Sequence, residues 1–181
     1  MGQLQDKRAI IIGASQSGNM GQVMAKRYLE EGAQVVVTSR DEQACAKFAK
    51  QSGCLYTGCD ITKSRELENL VSFCNEQMGG IDIAINSTGL ALGGPFLEFS
   101  ETDLDTLIAL QFKGSFFFLQ QMVKAMLNKK TPGGSIIQLS SAVAHRSTTV
   151  DGGFDGYMGT KAGIDHVVRS VANQFGRDGI R

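Results

Sequence analysis

The sequence has little of several features that would point to a specialised class of protein. Its 181 residues include no tryptophan, two prolines and two histidines, and 18 Lys+Arg balance 18 Asp+Glu to a net charge of zero. This balance gives no electrostatic reason to expect a nucleic-acid partner or an anionic membrane surface. No apolar run approaches the length that spans a bilayer. The scarcity of proline and the lack of internal repeats indicate one domain over residues 1–181.

The cysteines also lack the spacing of a metal site or a redox pair. Cys45, Cys54, Cys59 and Cys74 include no Cys-x-x-Cys pair, and no cluster of histidines accompanies them. The N-terminal stretch MGQLQDKR has no apolar core that would serve as a secretory signal. We therefore expect four reduced thiols in a cytoplasmic protein without a metal ion.

Strand-like and helical patterns alternate along the whole chain. The strand-like apolar runs fall at 8–12, 34–38, 54–57, 81–85 and 135–139. The helical patterns fall at about 19–31, 41–51, 64–78, 102–128 and 155–176. Such alternation favours parallel strands joined by right-handed crossovers, with helices on both faces of the sheet. The sequence predicts a three-layer α/β domain with a doubly wound, Rossmann-type parallel sheet.

A glycine-rich stretch follows the first predicted strand. Gly13, Gly18 and Gly21 stand between that strand and an amphipathic helix. In open α/β sheets ligands bind outside the carboxyl ends of the strands, and glycines there let a backbone approach a pyrophosphate at a helix N-terminus. This position favours a dinucleotide-binding loop.

The end of the second predicted strand indicates which dinucleotide is preferred. Proteins of this architecture that use NAD usually place an acid there to hold the ribose 2′-hydroxyl. This chain has Ser39 and Arg40 instead, and its first carboxylate is Asp41. A hydroxyl and a guanidinium suit a 2′-phosphate, so we expect NADP(H) to be preferred, with NAD(H) possible.

Five short stretches in order strengthen this interpretation: GASQSGNMG, CDI, NSTG, LSS and YMGTK. Together they resemble the short-chain dehydrogenase/reductase family, and the similarity extends from Lys7 to Arg181. The resemblance implies a small-molecule carbonyl or alcohol substrate, a nicotinamide cofactor and a homo-oligomer, either a dimer or a tetramer. It assigns catalysis to Ser141, Tyr157 and Lys161, with Gln111 at the position of the family's helix asparagine. Contacts with the cofactor are then expected from Gly13, Ser15, Asn19, Met20, Ser39, Arg40, Asp60, Ile61, Asn86, Gly89, Tyr157 and Lys161.

The chemistry explains why those residue types are needed. A tyrosine with an unperturbed pKa near 10 is a poor acid–base catalyst at neutral pH unless its anion is stabilised. A lysine ammonium one helical turn away, at i+4, lowers the pKa of the phenol electrostatically. Tyr157 would then be the proton donor, Lys161 would adjust its pKa, and Ser141 would polarise the substrate oxygen.

Several features depart from the family pattern. The glycine loop is longer than usual and resembles that of the enoyl-thioester reductase branch, although that branch usually separates its tyrosine and lysine by six residues. Gln111 is one methylene longer than asparagine, which changes where its amide lies. Ser141 precedes Tyr157 by sixteen residues, so residues 142–156 predict an enlarged loop near the substrate. His145 lies in that loop and would be either an exposed histidine or a substrate contact.

We predict an NADP(H)-dependent oxidoreductase that interconverts a carbonyl and a secondary alcohol. Two alternatives remain open: an enoyl-thioester reductase, and a catalytically weak NADP-binding or interaction protein. Ile180 and Arg181 have the pattern of the first step of a sixth strand. We therefore expect the chain to be part of a longer protein, with the fifth strand left as an edge.

Overall fold

A computed structural model describes residues 2–146 and 153–181. Its centre is a five-stranded parallel sheet in the order β3-β2-β1-β4-β5. The strands are β1 (Arg8–Ile12), β2 (Gln34–Ser39), β3 (Leu55–Gly58), β4 (Ile83–Asn86) and β5 (Ser135–Gln138). Because β1 pairs with β2 on one side and β4 on the other, the strand order reverses at β1. The predicted parallel sheet is confirmed, with bounds that differ by one or two residues from those expected.

Six α-helices connect or follow the strands within the described ranges. They are α1 (Met20–Glu30), α2 (Glu42–Ser52), α3 (Ser64–Met78), α4 (Glu101–Leu107), α5 (Ser115–Leu127) and α6 (Asp155–Phe175). The hydrophobic pattern over 102–128 predicted one uninterrupted α-helix there. The structure instead has a π-helical segment, Ile108–Gly114, between α4 and α5.

The two faces of the sheet bury separate hydrophobic cores. Ile10 and Ile12 pack on one face with Leu67 from α3 and Phe118 from α5. Ile11 points to the opposite face. The core on that face includes Ala25 from α1, Val35 and Val37 from β2, and Phe48 from α2. Alternation of side chains along β1 therefore fills both cores. This arrangement confirms the predicted three-layer α/β architecture.

Past α6 the chain turns back toward the edge of the sheet. Gly176 does not adopt the left-handed conformation that often ends a helix; a 3₁₀ turn follows, and Gly179 takes that conformation at φ 74°. Ile180 then forms a parallel bridge with Gly134, and Ile136 N donates to Arg181 O at 2.7 Å. The prediction that Ile180 and Arg181 begin to pair as a strand is confirmed.

Candidate active site

A cleft of about 720 Å³ lies where the strand order reverses, at the carboxyl ends of β1, β2 and β4. We call it the switch-point cleft. Eight of the predicted cofactor-binding residues line it: Gly13, Ser15, Asn19, Met20, Ser39, Arg40, Ile61 and Gly89. This is the position in which open α/β sheets bind ligands. The structure thus brings three separate predicted motifs to one edge of the sheet.

The glycine loop is held in shape by two amide side chains. Asn19 caps α1 by accepting a hydrogen bond from Gln22 N at 3.0 Å, and its Nδ2 donates to Gly13 O at 2.8 Å. Gln22 donates to Ala14 O at 3.0 Å and accepts from Gly18 N at 3.2 Å. The loop is therefore fixed before any ligand arrives. Sequence reasoning missed Gln22, whose only signal is a polar residue three positions after a capping asparagine.

Gly13 and Gly21 allow the loop to pack directly on the segment after β4. A Cβ atom at Gly13 would lie 2.8 Å from Ser87 Oγ, and one at Gly21 would lie 2.8 Å from Gly13 O. Gly13 also has φ 99°, a conformation that only glycine adopts at little cost. Ser87 Oγ donates to Ile12 O at 2.7 Å and so joins β1 to the residues after β4. Close packing at this junction therefore requires both glycines.

Asn86 is buried and has no hydrogen-bonding capacity left over. Its Nδ2 donates to Ser115 Oγ and to Gln138 Oε1, at 3.0 and 2.9 Å. Its Oδ1 accepts from Thr88 N and Thr88 Oγ1, at 3.0 and 2.7 Å. With both donors and the oxygen occupied, its side chain offers nothing to a cofactor. The geometry instead gives Asn86 the role of fixing the loop that carries Gly89.

Ser39 and Arg40 differ in what they present to the switch-point cleft. The hydroxyl of Ser39 donates to Asp41 O at 2.9 Å and lies 3.2 Å from Cys45 Sγ, and the residue is only 7% exposed. The hydroxyl is thus turned toward the protein, contrary to the expectation that it would face a 2′-phosphate. Arg40 is exposed at the rim and lines the cleft.

The segment after β3 closes another side of the switch-point cleft. Ile61 is buried and lines it. Asp60 Oδ1 accepts from Thr62 N at 3.0 Å and from Thr62 Oγ1 at 2.8 Å, while Asp60 N donates to Glu66 Oε2 at 2.7 Å. The two bonds from Thr62 hold the carboxylate of Asp60 in a fixed orientation.

Tyr157 and Lys161 both lie on α6, one helical turn apart. Lys161 is 3% exposed and its Nζ donates to Leu139 O at 2.8 Å. Burial lowers the pKa of this ammonium, and the carboxylate of Asp165 opposes that effect. Tyr157 is half-buried, with its ring edge-on to Phe154 at 6.2 Å between centroids. The two residues thus lie one turn apart on one helix, as the spacing of the YMGTK motif predicted.

Gln111 reaches the same place from the π-helical segment. It is 1% exposed, and its Nε2 donates to Thr160 Oγ1 at 3.2 Å. Its Oε1 has no hydrogen-bond partner within the described part of the chain. Gln111 Oε1 and Lys161 Nζ each lie 3.9 Å from the point where a Cβ of Gly89 would stand. A free buried acceptor is costly unless something occupies it in the working protein.

Ser141 caps a 3₁₀ turn, Ala142–Ala144, directly after β5. Its Oγ accepts from Val143 N at 3.4 Å. Two flanking residues contact Asp165 on α6: Ser140 Oγ at 2.5 Å and His145 Nε2 at 3.3 Å from Asp165 Oδ2. His145 is thus exposed and paired with a carboxylate. Part of the predicted enlarged loop, residues 147–152, lies outside the described residues.

Within residues 2–146 and 153–181, no three His, Cys, Asp or Glu side chains are grouped so that they could hold a metal ion. Among the helices described, none is long and apolar enough to cross a membrane.

The chain is similar to known proteins over most or all of its length. The family model described as enoyl-(acyl carrier protein) reductase matches residues 13–181. An uncharacterized oxidoreductase of Staphylococcus saprophyticus is 29% identical over 100% of the chain and 77% of its own length. One from Staphylococcus epidermidis is 27% identical over 100% of the chain and 76% of its own length.

Solved structures show the same relationship in three dimensions. A short-chain type dehydrogenase/reductase from Mycobacterium marinum superposes with a TM-score of 0.91 at 27% identity, covering 98% of this chain and 72% of that one. A putative short-chain dehydrogenase/reductase from Burkholderia xenovorans gives 0.87 at 28% identity, covering 100% and 73%. Since the family model spans residues 13–181 and these structures share the fold, the chain belongs to the short-chain dehydrogenase/reductase family of oxidoreductases.

Proposed function

We propose that the protein is an NADP(H)-dependent oxidoreductase that interconverts a carbonyl and a secondary alcohol, with Tyr157 as the acid–base group. The observation that carries this proposal is the burial of the Lys161 ammonium one turn from Tyr157, beside Gly89 of the switch-point cleft. Burying a charged amine is costly. The cost is understandable if the amine serves the tyrosine and a ligand in the cleft.

The switch-point cleft fits a dinucleotide. The first-turn N–H groups of Met20 and Gly21 donate to no partner within the described residues, since Asn19 caps Gln22 N instead. Free N–H groups at a helix start attract phosphate. The family generally binds NAD(H) or NADP(H). Arg40 would hold a 2′-phosphate at the rim, Asp60 and Ile61 would hold the adenine, and Lys161 would hold the nicotinamide ribose.

Each catalytic side chain then has a defined task. The bound nicotinamide supplies or accepts the hydride. The Tyr157 hydroxyl gives its proton to the substrate oxygen during reduction, and the Lys161 ammonium stabilises the phenolate that is left. The Ser141 hydroxyl donates a hydrogen bond to the same oxygen, where negative charge develops. Gln111 Oε1 offers a free acceptor near Lys161 that would hold a proton donor in place there.

Fluorescence titration with NADPH and NADH, combined with turnover on a panel of ketones, aldehydes and enoyl thioesters, tests the proposal. We expect tighter binding of NADPH and turnover of one or more ketones or aldehydes. Binding without turnover on any compound would instead favour the catalytically weak NADP-binding protein.

A second candidate, reduction of an α,β-unsaturated thioester, is favoured by two observations. The family model that matches residues 13–181 is described as enoyl-(acyl carrier protein) reductase. The glycine loop also has five residues between Gly13 and Asn19, a spacing similar to that branch. Against it stands the three-residue spacing between Tyr157 and Lys161. Turnover limited to the enoyl thioesters of the panel would establish this second function.

Assembly into a homo-oligomer is also part of the proposal. Four apolar side chains along α4, the π-helical segment and α5 are 36–40% exposed: Leu104, Ile108, Phe112 and Phe116. Exposed apolar side chains repeated every four residues in this way are typical of surfaces that other chains cover. Sedimentation analysis should show a dimer or tetramer that Phe116→Glu converts to smaller species. A monomeric wild type would contradict this part.

A cytoplasmic location is proposed from the cysteines. All four are free and buried, and burial raises the pKa of the Cys59 and Cys74 thiols to about 12. Burial makes these thiols unreactive. Four cysteines that form no disulfide are typical of proteins from a reducing compartment. Thiol titration should therefore detect four groups after denaturation and far fewer in the native protein.

A further inference from the structure

The carboxylate of Asp165 touches the chain on both sides of Ser141. Ser140 Oγ donates to Asp165 Oδ2 at 2.5 Å, and His145 Nε2 lies 3.3 Å from the same oxygen. Ser140 immediately precedes Ser141, and His145 follows the 3₁₀ turn that Ser141 caps. One oxygen atom therefore holds the beginning and the end of the turn that carries the predicted catalytic serine.

Asp165 belongs to the same helix as the other two predicted catalytic residues. It lies one turn after Lys161 and two turns after Tyr157 on α6. The Asp165 side chain is 12% exposed, so water competes little for its oxygens. The contacts thus connect the Ser141 turn rigidly to the helix of Tyr157 and Lys161.

We propose that Asp165 is a positioning residue that clamps the turn of Ser141 to α6 and so sets the Ser141 hydroxyl relative to the Tyr157 hydroxyl. This inference rests on the proposed function, because it assigns Asp165 to the same reaction. Asp165 lies outside both LSS and YMGTK, the motifs that carry Ser141, Tyr157 and Lys161. Its role becomes visible only when the fold brings the end of β5 next to α6.

The two contacts should differ in strength. A hydroxyl-to-carboxylate hydrogen bond at 2.5 Å is short and charge-assisted. The imidazole of His145 is 55% exposed, so water competes for its contact with Asp165 and the contact contributes little. Removing Ser140 should therefore matter more than removing His145, and removing Asp165 should matter most because both contacts are lost.

Steady-state kinetics of four variants tests the clamp, using the ketone or aldehyde that the wild type reduces fastest. A misplacement of about 1 Å can cost roughly 10²-fold in rate. We expect Asp165→Ala to lower kcat about 10–100-fold while the KM for NADPH stays within about twofold. Ser140→Ala should lose less and His145→Ala least. Asp165→Asn keeps an acceptor for Ser140 and should recover most of the loss.

Hydrogen exchange gives a second readout that does not depend on turnover. In Asp165→Ala, amides of residues 139–146 should exchange faster, while those of β1 should not change. Asp105→Ala, which removes an exposed acid on α4, is the matched control and should leave both regions unchanged. If Asp165→Ala fails to fold, Ser140→Ala carries the same two measurements.

The outcomes separate this inference from the proposed function. Unchanged amide exchange at residues 139–146 in both Asp165→Ala and Ser140→Ala would overturn the clamp, independently of the enzyme's activity. Equal losses of kcat in Asp165→Ala and Asp165→Asn would also overturn it, since the negative charge rather than the clamp would then matter. A wild type that reduces no compound of the panel would defeat the proposed function, and faster exchange in Asp165→Ala would still confirm the clamp.

Discussion

At the scale of single residues, Lys161 is an ionisable side chain held almost entirely inside the protein. Its Nζ donates to Leu139 O, the backbone oxygen just past β5. Burial lowers the pKa of Lys161 and the nearby Asp165 raises it, so the carboxylate helps to keep the ammonium charged. A charged Lys161 is what a tyrosine acid–base group one turn away requires. The burial of one lysine thereby links the packing of α6 to the proposed chemistry.

Replacing Arg40 should change the choice of cofactor. Its exposed guanidinium is the one cationic group among the described residues that line the switch-point cleft, so Arg40→Ala should lower kcat/KM for NADPH about 10–100-fold and change it little for NADH. The measurement compares both cofactors in both proteins. Arg65→Ala, which removes an exposed arginine on α3, is the control and should have no effect on either. Equal efficiency of the wild type with NADPH and NADH would contradict the assignment.

Two glycines with positive φ allow a paired test of close packing. Gly13 has φ 99° and no room for a Cβ, whereas Gly53 has φ 77° and open space around it. Gly53→Ala should reduce the free energy of unfolding by about 1 kcal/mol, the cost of a left-handed backbone for alanine. Gly13→Ala should cost roughly 3 kcal/mol or more because the methyl group also meets Ser87 and Thr88.

Urea denaturation of Gly13→Ala and Gly53→Ala separates the cost of backbone conformation from the cost of close packing. Similar losses in the two variants would show that backbone conformation alone explains the glycine at position 13. The larger loss in Gly13→Ala would show that the glycine loop must lie directly on the segment after β4.

At the scale of elements, the sequence predicted which segments form strands and helices, but it did not predict the π-helical interruption within the helix over 102–128. Apolar periodicity identifies an amphipathic helix over 102–128, but a π-helical segment changes the register only locally. The end of this segment packs closely on a distant part of the chain: a Cβ at Gly114 would lie 3.0 Å from Ile61 O. Neither residue signals that contact in its own neighbourhood. The π-helical segment nevertheless matters for function, because Gln111 lies in it.

The opposite end of the sheet is joined by an ion cluster of three side chains. Asp82, just before β4, accepts from Arg8 Nε at 2.7 Å and from Lys129 Nζ at 2.6 Å. Arg8 begins β1 and Lys129 follows α5, so the cluster joins three elements. These hydrogen bonds hold the pKa of the Asp82 carboxyl well below its usual range. All three side chains are 25% exposed or less.

Asp82→Asn should therefore lower the free energy of unfolding at pH 7 by about 1–3 kcal/mol, between the values for exposed and buried pairs. Because the pKa of Asp82 is lower in the folded state, the carboxylate stabilises the fold above its unfolded pKa of about 3.9. That stabilisation is lost as the pH falls below about 4. Urea denaturation from pH 7 to pH 3 should show the difference between wild type and Asp82→Asn shrinking. A constant difference would mean that packing, rather than charge, explains the cost.

At the scale of the whole molecule, the sheet order decides where the chemistry can lie. Because β1 lies between β2 and β4, the glycine loop, Arg40 and Gly89 meet at one cleft, and α6 brings Lys161 Nζ close to Gly89. Contiguous motifs at strand ends made these residues predictable from sequence. Hydrogen bonds between distant segments were not predictable, because no local pattern encodes them. Examples are the Asn86 amide, whose hydrogen bonds are all made within the protein, the Ser39 hydroxyl, which is turned inward, and the contacts of Asp165.

The central claim is that Tyr157 gives the proton in a reaction that uses NADPH. Tyr157→Phe keeps a ring to pack against Phe154 and removes only the hydroxyl, so it isolates that claim. NADPH binding, measured by nicotinamide fluorescence, should stay within about twofold of wild type, while kcat should fall about 10²–10⁴-fold, the range expected for losing a general acid. Near-normal turnover by Tyr157→Phe would contradict the account and move the acid–base role to another residue.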